Sequence, residues 1–205
     1  MRLSLLRLVP SVSGVALLVL AAFGAQAQVP GIEEYPVASR IAAPDWTLQT
    51  IDGKTLSLAD LKGKGKIVVL NFWATWNPSA TKELPVLGYI SRTYADKDVQ
   101  FVGLSADLIK GNVDDIDPLI RKAGISYPIA LITPEMKFRV LYQIRALPTT
   151  FFLDTQGRIA ARSGEGTERQ LRAELDALIA ERAAVVDGAA SQPAASAAAA
   201  SSATP

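Results

Sequence analysis

Polar and apolar positions change period along the middle of the chain. Ile67-Val68-Val69-Leu70-Asn71-Phe72, which follows the turn Gly63-Lys64-Gly65-Lys66, is apolar at nearly every position. That pattern predicts a strand covered on both faces, at the centre of a sheet. Leu84, Leu87, Ile90 and Tyr94 then recur at helical spacing, with Pro85 expected to kink the helix by removing a backbone donor. Val99 to Ser105 reads as the next strand. Ile116, Leu119, Ile120 and Ala123 predict a second helix within Asn112 to Gly124, with Asp117-Pro118 as its cap and first turn and Gly124 as its stop. Strand and helix in alternation predict a βαβ unit in a mixed α/β sheet.

The flanks follow the same logic. Asp52-Gly53 between two short alternating runs signals a hairpin spanning Ala43-Pro44 to Leu58. Thr133-Pro134-Glu135 reads as a helix start, Thr149 to Leu153 as a strand, Asp154-Thr155-Gln156-Gly157 as a turn, and Arg158 onward as another strand. Thr167-Glu168-Arg169-Gln170 fits a capping box, opening a helix whose apolar face is Leu171, Leu175, Leu178 and Ile179. From Ala183 to Pro205 only Ala, Ser, Pro, Thr and a few others remain, and this tail is expected to be disordered. At the other end, Arg2 and Arg7, an apolar run from Gly14 to Ala25 and the triplet Ala25-Gln26-Ala27 read as an export signal. The run is shorter than the roughly 20 residues that span a bilayer. It is read as cleaved, with an uncleaved anchor as the other reading. The expected organisation is a signal peptide (1–27), an N-terminal lead (28–41), one folded domain (42–182) and the tail (183–205), with the folded part in the periplasm.

Composition narrows the chemistry. The chain has 0 Cys and 0 His. Without a thiolate it can neither form nor carry a disulfide by dithiol exchange. Without imidazole it lacks the commonest neutral-pH base and soft-metal ligand, and a Ser-His-Asp triad is excluded. Asp114, Asp115 and Asp117 lack the further oxygen ligands and glycine of a calcium loop, so no metal is expected, and no cofactor. With 21 basic and 20 acidic residues and no basic stripe, neither nucleic acid nor, once the signal is removed, a membrane is expected as partner.

Between the central strand and the first helix stands Trp73-Ala74-Thr75-Trp76-Asn77-Pro78-Ser79-Ala80, and further on Leu147-Pro148-Thr149-Thr150-Phe151-Phe152-Leu153-Asp154 with Gly157. With the Ala43 to Leu58 hairpin, these segments resemble the TlpA-like redoxin and thiol-disulfide reductase branch of the thioredoxin superfamily over about Ala42 to Arg182. Its signature reads F-W-A-T-W-C-x-x-C, so Asn77 and Ala80 stand where the two cysteines belong. The resemblance implies a thioredoxin-like α/β fold: a central mixed sheet flanked by helices, with the N-terminal hairpin and a βαβ-type insertion around Leu108 to Ile132. It also implies a cis Leu147-Pro148 bond beside the motif, where an extended peptide pairs in relatives. Asn71 occupies the place of the buried acid of classical thioredoxins, and as an amide cannot transfer its proton.

Asn77 is a favoured N-cap and Pro78 suits the first helical position. Asn77, Pro78, Ser79 and Ala80 are therefore degenerate motif positions with no catalytic residue among them. Either the Asn77 side chain caps the helix itself, or the helix-start amides, with Asn77 and Ser79, take an anion or carboxylate. Ser79-Ala80-Thr81-Lys82 also matches the Ser-x-x-Lys pattern of penicillin-recognising enzymes, without its companion motifs. The candidate binding residues are Trp76, Asn77, Ser79, Leu147 and Pro148, for an unknown extended peptide or periplasmic protein. Oxidoreductase action, as in the family, and a purely structural module are the alternatives.

Overall fold

In the computed structural model, residues 31–62 and 64–190 are described. The expected signal peptide and the tail beyond 190 lie outside them. A six-stranded mixed sheet runs in the order β1-β8-β7-β4-β5-β6, formed by β1 (Ile32–Glu34), β4 (Ile67–Trp73), β5 (Val99–Ser105), β6 (Ile129–Leu131), β7 (Thr149–Leu153) and β8 (Ile159–Ser163). All seven residues of β4 are buried. β4 pairs parallel with β5 and antiparallel with β7, and β5 pairs parallel with β6. The hairpin β2 (Thr47–Gln49) and β3 (Thr55–Ser57) forms a separate two-stranded sheet.

The alternation along β4 sorts the layers. Val68, Leu70 and Phe72 face the hairpin side with Phe138, Tyr142 and Phe151. Phe138 lies in the short helix α3 (Phe138–Leu141). Ile67 and Val69 face the opposite side, against α1 (Pro78–Thr93) and α4 (Glu168–Ala190). Trp73 packs there with Leu84, Ile116 and Ile120, the last two from α2 (Ile116–Ala123). α1 continues through Pro85, which is exposed, because Leu84, Leu87 and Ile90 bury its other side. The expected capping box is reciprocal: Thr167 N donates to Gln170 Oε1 (2.9 Å) and Gln170 N to Thr167 Oγ1 (3.4 Å).

Three expected boundaries shift. Residues 28–41 were read as a lead outside the domain, yet Ile32 to Glu34 pair with Ser163 to Ala161 as an edge strand. The tail was expected from 183, yet α4 runs on to Ala190, since alanine carries the helix onward at no cost in side-chain entropy. Asp117-Pro118 lies in the first turn of α2, as expected, but does not cap it: a 3-10 turn at Val113–Asp115 precedes the helix, with Asn112 Oδ1 accepting from Asp114 N at 3.1 Å. Asp117 instead pairs with Arg121 one turn on.

Candidate functional site

The loop leaving β4 is held by a carboxylate. Asp107, 2% exposed, accepts from Thr75 N (3.1 and 3.2 Å), from the Thr75 hydroxyl (2.6 Å) and from the Ser105 hydroxyl (2.6 Å). Gly111, at φ +130, presses against this anchor. A Cβ there would sit 2.5 Å from Asp107 Oδ1 and 2.8 Å from Trp76 Cδ1, so only glycine allows the approach. Trp76 is 41% exposed, with Lys110 Nζ 5.0 Å from its ring centroid, and Leu108 and Ile109 of the same loop are also exposed. An apolar rim results. Beside it a groove of about 520 Å³ is lined by Trp76, Thr81, Gly111, Pro118, Leu119 and Lys122.

Asn77 precedes α1 in extended conformation, and its carboxamide is used at both ends. Oδ1 accepts from Ala80 N at 3.0 Å and Nδ2 donates to the Leu147 carbonyl at 2.8 Å. The Leu147–Pro148 bond is cis. One side chain thereby caps the helix at the Ala80 amide and braces it to the loop before β7. Of the two readings of the helix start, the self-capped one is the one formed. Nor is a Ser-Lys pair assembled: Glu165, bonded to Ser79, accepts Lys82 Nζ at 3.2 Å.

Glu83 was missed in the sequence. It is 2% exposed, accepting from Gly166 N at 2.8 Å and from Asn71 Nδ2 at 3.4 Å. Burial pushes its carboxyl up to about 7, and the nearby Glu165 carboxylate adds to the shift, against the two donors. The signal was its phase: Glu83 lies three residues after Ala80 and four before Leu87, on the stripe that helical spacing assigns to the core. The amide at 71 thus leaves an acid in the neighbourhood, supplied by α1.

This acid carries a pH prediction. Its folded value, about 7, lies above the ordinary 4.5, so its stabilising effect is complete below pH 4.5, declines as pH rises and is gone above 7. At ~1.36 kcal/mol per unit, the loss is about 3 kcal/mol. Glu83→Gln should remove that slope, leaving the part due to Glu174, which burial also pushes up to about 7. Urea midpoints at pH 5 and pH 8 measure it. An unchanged slope in the variant would refute the assignment.

Comparison with known proteins places this geometry. The model of the AhpC/TSA family matches residues 40–162. The chain belongs to the AhpC/TSA family. Among its relatives, a thiol-disulfide oxidoreductase, ResA, from Bacillus thuringiensis is 35% identical over 130 residues, covering 63% of this chain and 72% of the relative. Among solved structures, a DsbF homologue from Corynebacterium diphtheriae superposes with a TM-score of 0.62 at 28% identity, over 75% of this chain and 98% of that one. A thiol:disulfide interchange protein of the thioredoxin family from Chlorobium tepidum gives 0.60 at 27% identity, over 68% and 97%. The expected thioredoxin-like fold and the redoxin resemblance are therefore borne out. Beside relatives named for thiol-disulfide chemistry, the present chain has 0 cysteines. Among the described residues, no helix is long and apolar enough to cross a membrane, and no group of three or more Asp or Glu is placed to hold a metal ion.

Proposed function

We propose that this AhpC/TSA member is an exported, redox-inert domain that binds an extended peptide or protein partner at the surface its relatives use for thiol chemistry. The contact residues are Trp76, Asn77, Ser79, Leu147 and Pro148, in the periplasm. One observation carries the reading: an exposed apolar rim, Trp76 with Leu108 and Ile109 of the loop packed against it, stands beside the Leu147 loop that Asn77 braces, at a site without a thiol. Such a rim contributes affinity through burial of an aromatic anchor, and main-chain pairing at the Leu147 loop needs no sulfur. The Leu147 carbonyl, engaged by Asn77, keeps a second lone pair for an incoming strand.

The reading is tested by capturing partners from a periplasmic extract with the mature protein as bait. Trp76→Ala should weaken the captured complex by about 2 kcal/mol or more, near 30-fold in Kd. Leu147→Asp should weaken it comparably by placing a charge on the pairing surface. Capture undiminished in both variants would place the partner elsewhere.

A further inference from the structure

Beneath the motif, four polar side chains converge with more hydrogen-bonding capacity than protein atoms satisfy. Asn71 and Trp73 are two apart on β4 and so share a face, Glu83 descends from α1, and Tyr127 precedes β6. Asn71 Nδ2 donates to Thr150 Oγ1 at 2.9 Å and to Glu83 Oε2 at 3.4 Å. Asn71 Oδ1, Trp73 Nε1 and the Tyr127 hydroxyl are shielded from solvent and have no partner among the described residues.

The groups are neighbours. Gly103 lies opposite Asn71 in the β4–β5 register. The position a Cβ would take on it is 2.5 Å from the Ile129 Cδ1 methyl, which covers that side, 3.1 Å from Trp73 Nε1 and 3.5 Å from Tyr127 Cε2. Burial, and after it the charge of Glu83, raises the Tyr127 hydroxyl above the ordinary tyrosine value. Two donors, the indole N–H and the phenol O–H, thus stand near two acceptors, the Asn71 carbonyl oxygen and the Glu83 carboxylate. Buried polar atoms are rarely left unbonded, and an internal water makes about three hydrogen bonds to groups of this kind.

We propose that Asn71, Trp73, Glu83 and Tyr127 form a binding site for internal water, which bridges the Glu83 carboxyl to the Tyr127 hydroxyl. The water accepts from the Trp73 indole and from the phenol, and donates to Asn71 Oδ1 and to the Glu83 carboxylate. It tethers the acid of α1 to the segment before β6, across the β5 edge of the motif.

Two measurements on the full chain test the proposal. In ¹⁵N-tryptophan-labelled protein, the Trp73 indole N–H, assigned by its disappearance in Trp73→Phe, should show a nuclear Overhauser contact with long-lived water. No such contact would overturn the site. In a ¹³C carboxyl titration, Tyr127→Phe removes one anchor of the bridge and should raise the Glu83 midpoint by about half a unit or more, since a water held less firmly donates less to the carboxylate. A bound water with an unmoved Glu83 midpoint would overturn the bridge. Should Tyr127→Phe fail to fold, an Overhauser contact between the Tyr127 ring protons and the same long-lived water is sought in the unaltered chain, and its absence would overturn the bridge.

Discussion

Placing thiols at both motif positions, in the double variant Asn77→Cys/Ala80→Cys, is expected to turn a surface without a thiol into a reductant of protein disulfides. The natural chain has 0 cysteines, so in an insulin-reduction assay it should match the background of the added small-molecule thiol, and the variant should rise clearly above it. The reason is positional. A sulfur at 77 would sit at the N-terminus of α1, where the helix dipole and unpaired donors bring thiols into the pKa range of about 3.5–7.5. Ala80, fully buried three residues later, is placed to supply the resolving thiol, and Glu83 provides an acid that titrates near neutrality. The gain has a structural cost, because cysteine cannot reproduce the two bonds of the Asn77 carboxamide. The reduced variant should be less stable by about 1–3 kcal/mol, measured by urea unfolding. Turnover by the natural chain above background would contradict the inert reading. A silent variant whose two thiols are accessible to a thiol reagent would instead contradict the positional argument.

The largest stability loss is expected from Arg40→Ala. The Arg40 guanidinium, its side chain 7% exposed, holds Glu181 in a fork (2.6 and 2.8 Å), reaches Asp154 at 3.3 Å and donates to the Tyr35 carbonyl at 3.0 Å. It therefore joins the segment after β1 to the β7–β8 turn and to α4. Removing it leaves Glu181 and the buried Asp154 short of a cation, and withdraws the charge that restrains the Glu174 carboxyl from rising further. A loss of about 3–5 kcal/mol is the usual result of breaking such a buried arrangement from one side. The lower end applies here, since Asp154 keeps Arg158 at 2.8 Å. Arg40→Met, which preserves the packed stem, should lose less. Urea unfolding at pH 7 checks both, and a loss under about 1 kcal/mol for the alanine variant would show the cluster to be solvated and weak.

The fold was legible because its main elements carry their periods openly. The apolar run of β4, the Asp52-Gly53 turn, the Thr167 to Gln170 box and the Leu171, Leu175, Leu178 face each specify one local outcome, and these outcomes agree. What escaped was non-local. Ile32 to Glu34 is too short and too acidic to announce a strand, and becomes one only because β8 offers it an edge. The degenerate motif was plain, but its brace was not, since nothing local says that the Asn77 amide meets a carbonyl seventy residues away. Glu83 and Asp107 were hidden because charged residues are rarely buried, and only the positions of their donors make the exceptions intelligible.

The hairpin has a further consequence for how the molecule behaves in company. The Thr50–Ala130 bridge and the bond from Ile51 N to the Ile129 carbonyl (3.0 Å) cap the β6 margin of the large sheet with the protein's own backbone. The opposite margin, β1, is three residues long and carries Glu33 and Glu34. Lateral growth of the sheet into filaments is thus obstructed at one side by occupancy and discouraged at the other by brevity and charge. Even at high concentration, this chain should resist strand-by-strand stacking with copies of itself.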